Sequence, residues 1–403
     1  MRYTDVAIVG GGLAGSTAAA MLGRAGISAV LIDPHASYPP ELRCEKIGGE
    51  QFDLLRKTGL ADPTLRATTL DGEVWEARFG YVVAAKASDQ HGIMYDTLVN
   101  TVRGQIPPDV ATIHAKTASI ANGPERQKLV LSNGDEISAR LVVLANGLNV
   151  GLRHTLGIRR RTVSECHSIT FGFDVEPMGR AAFSFPALTY WPKRTSARMA
   201  YLSIFPIDGK MRANLMVYRE MTDPWLQLFK QAPKETMRAL MPGLARMMGD
   251  FKVNGPVRIR PADLVVSDGF VQPGIVLVGA AFSTSCPAAG TGTTKVFTES
   301  GGCATSISRN GSRPTAWVSG RSRSSTPTRR RWRARRAALR RLTTCVRCRS
   351  TMACRGARSA GHVSSYVCRS ASGERSANGF PLVPCHETSR RNPARIQHTT
   401  AEP

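Results

Sequence analysis

The chain has 403 residues, of which 42% are apolar, 54 are Lys or Arg and 30 are Asp or Glu, for a formal net charge of +24. That apolar share can fill a buried core, which excludes a chain disordered throughout, and no apolar run approaches the ~20 residues that a spanning helix needs. The charge is uneven: residues 300–403 hold 21 Arg, no Lys, no Asp and 3 Glu and so carry +18, leaving +6 on the first 299 residues, an ordinary balance for a soluble domain pair.

Only Cys44, Cys166 and Cys286 of the nine Cys fall in those 299 residues. This suits a reducing compartment better than a disulfide framework. The start runs from Met1 into a strand-like segment, without the basic, apolar and cleavage regions of a signal peptide. The expectation is a cytoplasmic protein without a transmembrane segment, with peripheral membrane contact left open.

Residues 6–9 are a short apolar run, followed by Gly10-Gly11-Gly12-Leu13-Ala14-Gly15 and a small-residue-rich helical stretch over residues 16–24. In this strand, turn and helix, Gly10 allows the tight turn, Gly12 lets the backbone approach a pyrophosphate, and Gly15 lets helix and strand pack closely. The phosphates would sit at the helix N-terminus, where Leu13 and Ala14 lie. Residues 29–32 supply a second strand and Asp33 closes it, 18 residues after Gly15, where a carboxylate accepts from adenosine ribose hydroxyls. Such a turn alone does not separate FAD from NAD.

Two later segments bear on that choice. Residues 141–144 read as a buried strand ending in Ala145-Asn146-Gly147, with Val150 and Arg153 beyond it. Residues 275–278 read as another, followed by Gly279-Ala280-Ala281 and then Pro287-Ala288-Ala289-Gly290-Thr291-Gly292, a glycine loop opening a helix. Such a helix start favours negative charge beside it.

In order and spacing the three segments resemble the fingerprints of FAD-dependent aromatic-ring hydroxylases, the class A flavin monooxygenases that include para-hydroxybenzoate hydroxylase-like and ubiquinone-pathway hydroxylases. The family's Asp and Ser in the second segment are here Asn146 and Val150, and its ribityl-binding Asp in the third is Ala280. The resemblance also implies that Arg43, in the loop after the second strand, lies against the adenosine or pyrophosphate of FAD; a solvated loop arginine is the alternative.

The implied fold class is α/β: a Rossmann-like FAD-binding domain (residues 1–68, 91–165 and 255–299) with a discontinuous, mainly β substrate domain (69–90 and 166–254). The implied cofactor site is Gly10, Gly12, Leu13, Ala14, Gly15, Asp33, Arg43, Gly147, Gly279, Ala280, Gly290 and Gly292. FAD would be reduced by NADPH or NADH, and molecular oxygen would then form the C4a-hydroperoxide that hydroxylates a small aromatic or apolar substrate. The resemblance identifies no catalytic residue, no metal ligand and no oligomeric state.

Over 166–254 the pattern turns to strands, with a hairpin turn at Ile207-Asp208-Gly209-Lys210 and a helical stretch over 225–248. Phe171, Phe173, Phe183, Phe185, Tyr190, Trp191, Tyr201 and Phe205 suit a planar or prenylated substrate, or else an aromatic-rich β core. His167 and Tyr190 are candidate polar contacts with substrate, and a structural role is the favoured alternative for each. A flavin halogenase would carry a Trp-x-Trp-x-Ile-Pro motif, and Tyr190-Trp191-Pro192 is not one. A faint likeness of residues 201–206 to geranylgeranyl reductases keeps a rival open, a flavin-dependent reductase or dehydrogenase of a polyprenyl substrate.

From Ser300 on, the chain is rich in Ser, Arg, Thr and Gly without an apolar period. Twenty-one Arg without a Lys is the composition of a GC-rich gene translated out of frame, so this tail reads as disordered and out of frame. A catalytically inactive product of a frameshifted flavoprotein gene is the second rival. The tail could bind nucleic acid or acidic membrane nonspecifically, with no specific nucleic-acid partner expected. Cys345 and Cys348 form a CxxC without the second pair that zinc spacing requires.

Overall fold

A computed structural model describes residues 1–310. Five parallel strands form the centre of a seven-stranded sheet, in the order Ala111–Ile113, Ala29–Ile32, Arg2–Val9, Glu136–Leu144 and Ile275–Leu277. The strand Glu136–Leu144 changes partners along its length: residues 136–139 pair with the antiparallel strand Gln127–Leu131, and residues 142–144 with Ile275–Leu277. Alternation along the central strands divides their side chains between two cores. Val6, Ile8, Leu141 and Val143 pack under the helices Leu13–Arg24 and Gly292–Asn310, while Ala7, Val9, Val142 and Leu144 pack beneath the antiparallel arm Thr117–Ala121 and Gln127–Leu131.

A second sheet of eight strands runs in the order Phe251–Asp268, Arg159–Pro177, Lys210–Val217, Met199–Ile207, Ala187–Trp191, Thr69–Arg78, Tyr81–Gly92 and Lys46–Gly48. The hairpin turn expected at Asp208-Gly209 is present. Ile207 pairs with Lys210, and both turn residues have positive φ, 49° and 73°, which matches the twist of the strands.

Strand alternation sorts the aromatic residues. Phe171, Phe173, Phe183, Phe185 and Tyr190 belong to the core between this sheet and the helices Trp225–Gln231, Pro233–Leu240 and Leu244–Met248, where Phe171 and Phe173 meet Phe229. They are members of that core. The residues between them in register, Gly172, Asp174, Tyr201, Ser203, Phe205, Arg212 and Asn214, occupy the opposite face. There a Cβ on Gly172 would lie 2.5 Å from Leu42, in the loop that follows Asp33. Tyr190 takes the structural role, since it is buried in this core and its hydroxyl lies 2.7 Å from the Cβ position of Gly243 on the helical side.

The helix Gly292–Asn310 also corrects the tail boundary. Ala304 and Ile307 are buried against Ala18 and Leu22, so the helix runs on to Asn310 and its residues as far as Ile307 are packed rather than disordered. The rest of the Arg-rich tail and its CxxC lie outside the described residues. Among the described residues no helix is long and apolar enough to cross a membrane, and no cluster of three or more His, Cys, Asp or Glu could hold a metal ion.

Candidate cofactor-binding site

The glycine turn follows from two close backbone approaches. Gly10 has φ 103°, and a Cβ there would lie 2.7 Å from the Ala145 carbonyl oxygen. A Cβ on Gly15 would come within 1.9 Å of the Gly10 carbonyl, so only glycine lets the helix start this close to the strand. Gly12 is different, for its Cβ position is open, with Tyr38 nearest at 3.8 Å.

The helix Leu13–Arg24 starts at Gly12 with no side-chain cap and no acidic residue in its first turn. Its Ser16 amide donates to the Gly12 carbonyl at 3.0 Å, and the Leu13 and Ala14 amides precede that bond. Leu13 and Ala14 are buried, 2% and 8% exposed. Buried amides at a helix start need an acceptor, and a phosphate supplies one aligned with the helix dipole.

Asp33 is buried at the end of its strand. Its Oδ2 accepts from the Gly11 amide at 2.6 Å and its Oδ1 from the His35 amide at 2.9 Å. Arg103, closing the helix Tyr95–Arg103, lies 3.0 Å from Oδ1 and donates through Nε to the Gly11 carbonyl at 2.7 Å. Asp33 and Arg103 thus grip Gly11 from both sides. Nothing local in the sequence marks Arg103 as the partner of an aspartate 70 residues earlier.

All three predicted segments meet. The Ala145 amide donates to the Val9 carbonyl and the Val278 amide to the Leu144 carbonyl, at 2.9 and 3.1 Å. Gly279, with φ 66°, packs on Ala14, where a Cβ would lie 3.0 Å from the Ala14 Cβ. Arg153 donates to the Ala281 carbonyl, which also accepts from Ser267 at 2.7 Å, and to Asn149 at 3.0 Å, tying the second segment to the third. Gly147 and Gly290 have φ 60° and 64° and open space at their Cβ positions.

Beside Ala280, Glu299 accepts from the Gly279 amide at 2.8 Å and Lys295 donates to the Gly279 carbonyl at 2.8 Å, while the two side chains pair at 3.0 Å. Burial pushes the Lys295 ammonium down and the Glu299 carboxyl up, each opposed by its partner. Their i, i+4 spacing was a readable signal for this clamp. The loop before Gly292 is held from outside, with Tyr201 donating to the Ala288 carbonyl at 3.0 Å and Gln51 to the Thr294 hydroxyl at 3.0 Å.

Arg43 is engaged rather than solvated. Its Nε donates to Glu41 at 2.7 Å, and Glu41 also accepts from Tyr38 at 2.6 Å and from Arg260, in the strand Phe251–Asp268 of the second sheet. Two positions on, Glu45 takes Nε and Nη2 of Arg212 at 2.8 and 2.9 Å and the Asn214 amide at 2.7 Å, with all three residues buried. The loop between Asp33 and the strand Lys46–Gly48 is therefore fastened to the second sheet by two carboxylates.

Burial alone would raise the Glu41 carboxyl, but hydrogen bonding and charge from Arg43, with Tyr38 and Arg260, outweigh it and hold it at about 2. A depressed value stabilises the fold above the ordinary 4.5, and the contribution is lost as pH falls toward about 2. Urea melts at a series of pH values are expected to show the stability difference between the natural chain and Glu41→Gln shrinking across that window. A difference independent of pH would contradict the assignment.

Residues 3–293 match the model of a protein family described as FAD binding domain. The chain belongs to that family. The flavoprotein is 31% identical over 179 residues to a ubiquinone hydroxylase of Rhodospirillum rubrum, covering 40% of this chain and 41% of that one. It is 25% identical over 317 residues to the 3-demethoxyubiquinol 3-hydroxylase of Escherichia coli, covering 72% and 75%. Its fold is shared with p-nitrophenol 4-monooxygenase of Pseudomonas putida, at a TM-score of 0.63 and 15% identity over 79% of this chain and 84% of the other. The buried uncapped start of Leu13–Arg24 and the open face of Gly12 fit the cofactor that the family binds.

Proposed function

We propose that this flavoprotein is an NAD(P)H-dependent monooxygenase that hydroxylates a small aromatic or polyprenylated ring. The observation that carries the reading is the convergence of all three segments on one buried, uncapped helix start. Kinship to two ubiquinone-pathway hydroxylases favours a phenol or quinol with an apolar chain. FAD, when bound, supplies the redox chemistry, accepting two electrons from NAD(P)H and activating dioxygen.

The chain's own residues bind and orient. The amides that start Leu13–Arg24 would take the pyrophosphate, and Asp33, already fixed by Gly11 and Arg103, would accept from the ribose. Arg43, held beside Glu41, would approach the adenosine half. The amides of residues 292–294 precede the Lys295 bond to the Thr291 carbonyl and would favour negative charge on the flavin. The polar face of the second sheet would form the substrate floor, with Ser203 suited to a ring hydroxyl.

The deciding experiment supplies FAD, NADH or NADPH and ¹⁸O₂ to the purified chain with a panel of phenols and prenylated quinols. One labelled oxygen in the product is the expected result. A reduced, unlabelled product would replace this reading with the polyprenyl reductase.

Ala280 bears on affinity. Ala280→Asp restores the ribityl-binding carboxylate of the family resemblance, and one hydrogen bond to a charged group is worth about 1.5–3 kcal/mol. FAD titration by fluorescence quenching is expected to show affinity rising by about tenfold or more. Unchanged affinity would mean that the Glu299–Gly279–Lys295 clamp excludes the added carboxylate.

A further inference from the structure

We propose that the hairpin tip joining Thr69–Arg78 to Tyr81–Gly92 inserts into the surface of an anionic lipid bilayer. Arg78 pairs with Tyr81 across the two-residue turn Phe79-Gly80, whose φ values are 57° and 81°. Such a turn suits the strand twist, although an aromatic side chain at positive φ is unfavourable there. Phe79 is 47% exposed, Tyr81 60%, Val82 43% and Val83 60%, so four large apolar residues share one protrusion. The tip is held in place, since a Cβ on Gly80 would lie 2.6 Å from the Gly243 carbonyl at the start of the helix Leu244–Met248.

Cations surround these rings. The Arg78 guanidinium lies 5.2 Å and the Lys193 ammonium 5.9 Å from the Phe79 ring centroid, and the Arg246 guanidinium lies 4.3 Å from that of Tyr81. Glu76, the acidic residue before the turn, is paired with Lys86 at 3.0 Å. Among the described residues none of the three ring cations is paired with a carboxylate. Aromatic and aliphatic side chains level with unneutralised cations match a bilayer interface, where the apolar groups enter the acyl boundary and the cations meet lipid phosphates.

The mixture of exposed apolar side chains and cations decides among occupants, since a nucleic acid would engage the cations while leaving Val82 and Val83 in water. Association would be reversible, since the apolar area is small. The inference does not depend on which reaction the flavoprotein performs.

The test uses the full chain carrying Tyr81→Trp and vesicles of phosphatidylcholine with phosphatidylglycerol, some of the lipid brominated on its acyl chains. A local probe is needed because Arg residues beyond 310 would sediment with anionic vesicles by themselves. After subtraction of the natural chain's emission, the introduced indole is expected to shift to shorter wavelength and be quenched by brominated lipid. Adding Phe79→Ser and Val83→Ser is expected to weaken this quenching titration by roughly tenfold or more. Circular dichroism and melting temperature, expected to be unchanged for exposed residues, show that each variant folds. An unquenched indole in the folded variant overturns the proposal. So does a blue shift that appears without vesicles and grows with protein concentration, which would place a second copy on the tip.

Discussion

Gly15→Ala is expected to yield a protein that takes up no FAD and melts far below the natural chain or fails to fold. Its Cβ would lie 1.9 Å from the Gly10 carbonyl oxygen and 3.2 Å from the Ala145 Cβ, and the first of these is backbone that cannot swing aside. Relief requires the helix Leu13–Arg24 to move off its strand, opening a core in which Ala18, Ala19 and Leu22 are fully buried. Gly12→Ala is the informative companion. Its methyl group meets only Tyr38 at 3.8 Å, so the fold is expected to persist. It would stand where the pyrophosphate must come close. Loss of two charge-assisted hydrogen bonds at about 1.5–3 kcal/mol each corresponds to roughly a hundredfold or more in FAD affinity. The measurement is bound-flavin absorbance after gel filtration, beside circular dichroism. If Gly12→Ala kept full FAD affinity, the assignment of the helix start to the cofactor would be wrong.

Glu45→Ala is expected to produce the second large effect, on stability. The Glu45 side chain is wholly buried, takes Nε and Nη2 of the Arg212 guanidinium and accepts from Asn214. Its removal leaves Arg212, 8% exposed, with Asp174 as its one carboxylate partner. A buried pair broken from one side costs about 3–5 kcal/mol, because the surviving charge stays desolvated. In the double variant Glu45→Ala with Arg212→Met, most of that loss should return, since neither charge is then buried unpaired. Urea melts of the two single variants and the double variant supply the cycle. A loss below about 1 kcal/mol for Glu45→Ala would mean that water reaches the pair.

The two predictions also show which parts of the molecule were readable in the sequence. The first turn was legible because its chemistry is local: Gly10, Gly15 and Asp33 each answer a requirement set within one strand, turn and helix unit. The Asp208-Gly209 hairpin was legible for the same reason. The aromatic row was not. Alternation in Phe171-Gly172-Phe173-Asp174 shows that two faces exist, but which face meets helices and which meets the cofactor loop is decided by elements far along the chain. The polar residues between the aromatics, Arg212 and Asn214 above all, are the ones that face residues 41–45. Arg103 was invisible, being one basic residue at a helix end where such residues are common. Lys295 and Glu299 sat in plain i, i+4 register, yet the glycine motif beside them drew the reading to backbone. The helical continuation through residues 300–310 was obscured by composition, because two buried residues, Ala304 and Ile307, suffice to dock it.

Glu41 and Glu45 anchor the loop after Asp33 to Arg260 and Arg212 of the other sheet. A ligand that orders this loop from the adenosine side also orders the floor on which a substrate would rest, and the reverse holds equally. Thermodynamic reciprocity then requires that whatever factor FAD applies to substrate affinity, substrate applies to FAD affinity. Since the two carboxylates are among the links that carry this coupling, the mutual factor should fall in a chain lacking both, even where each ligand alone still binds.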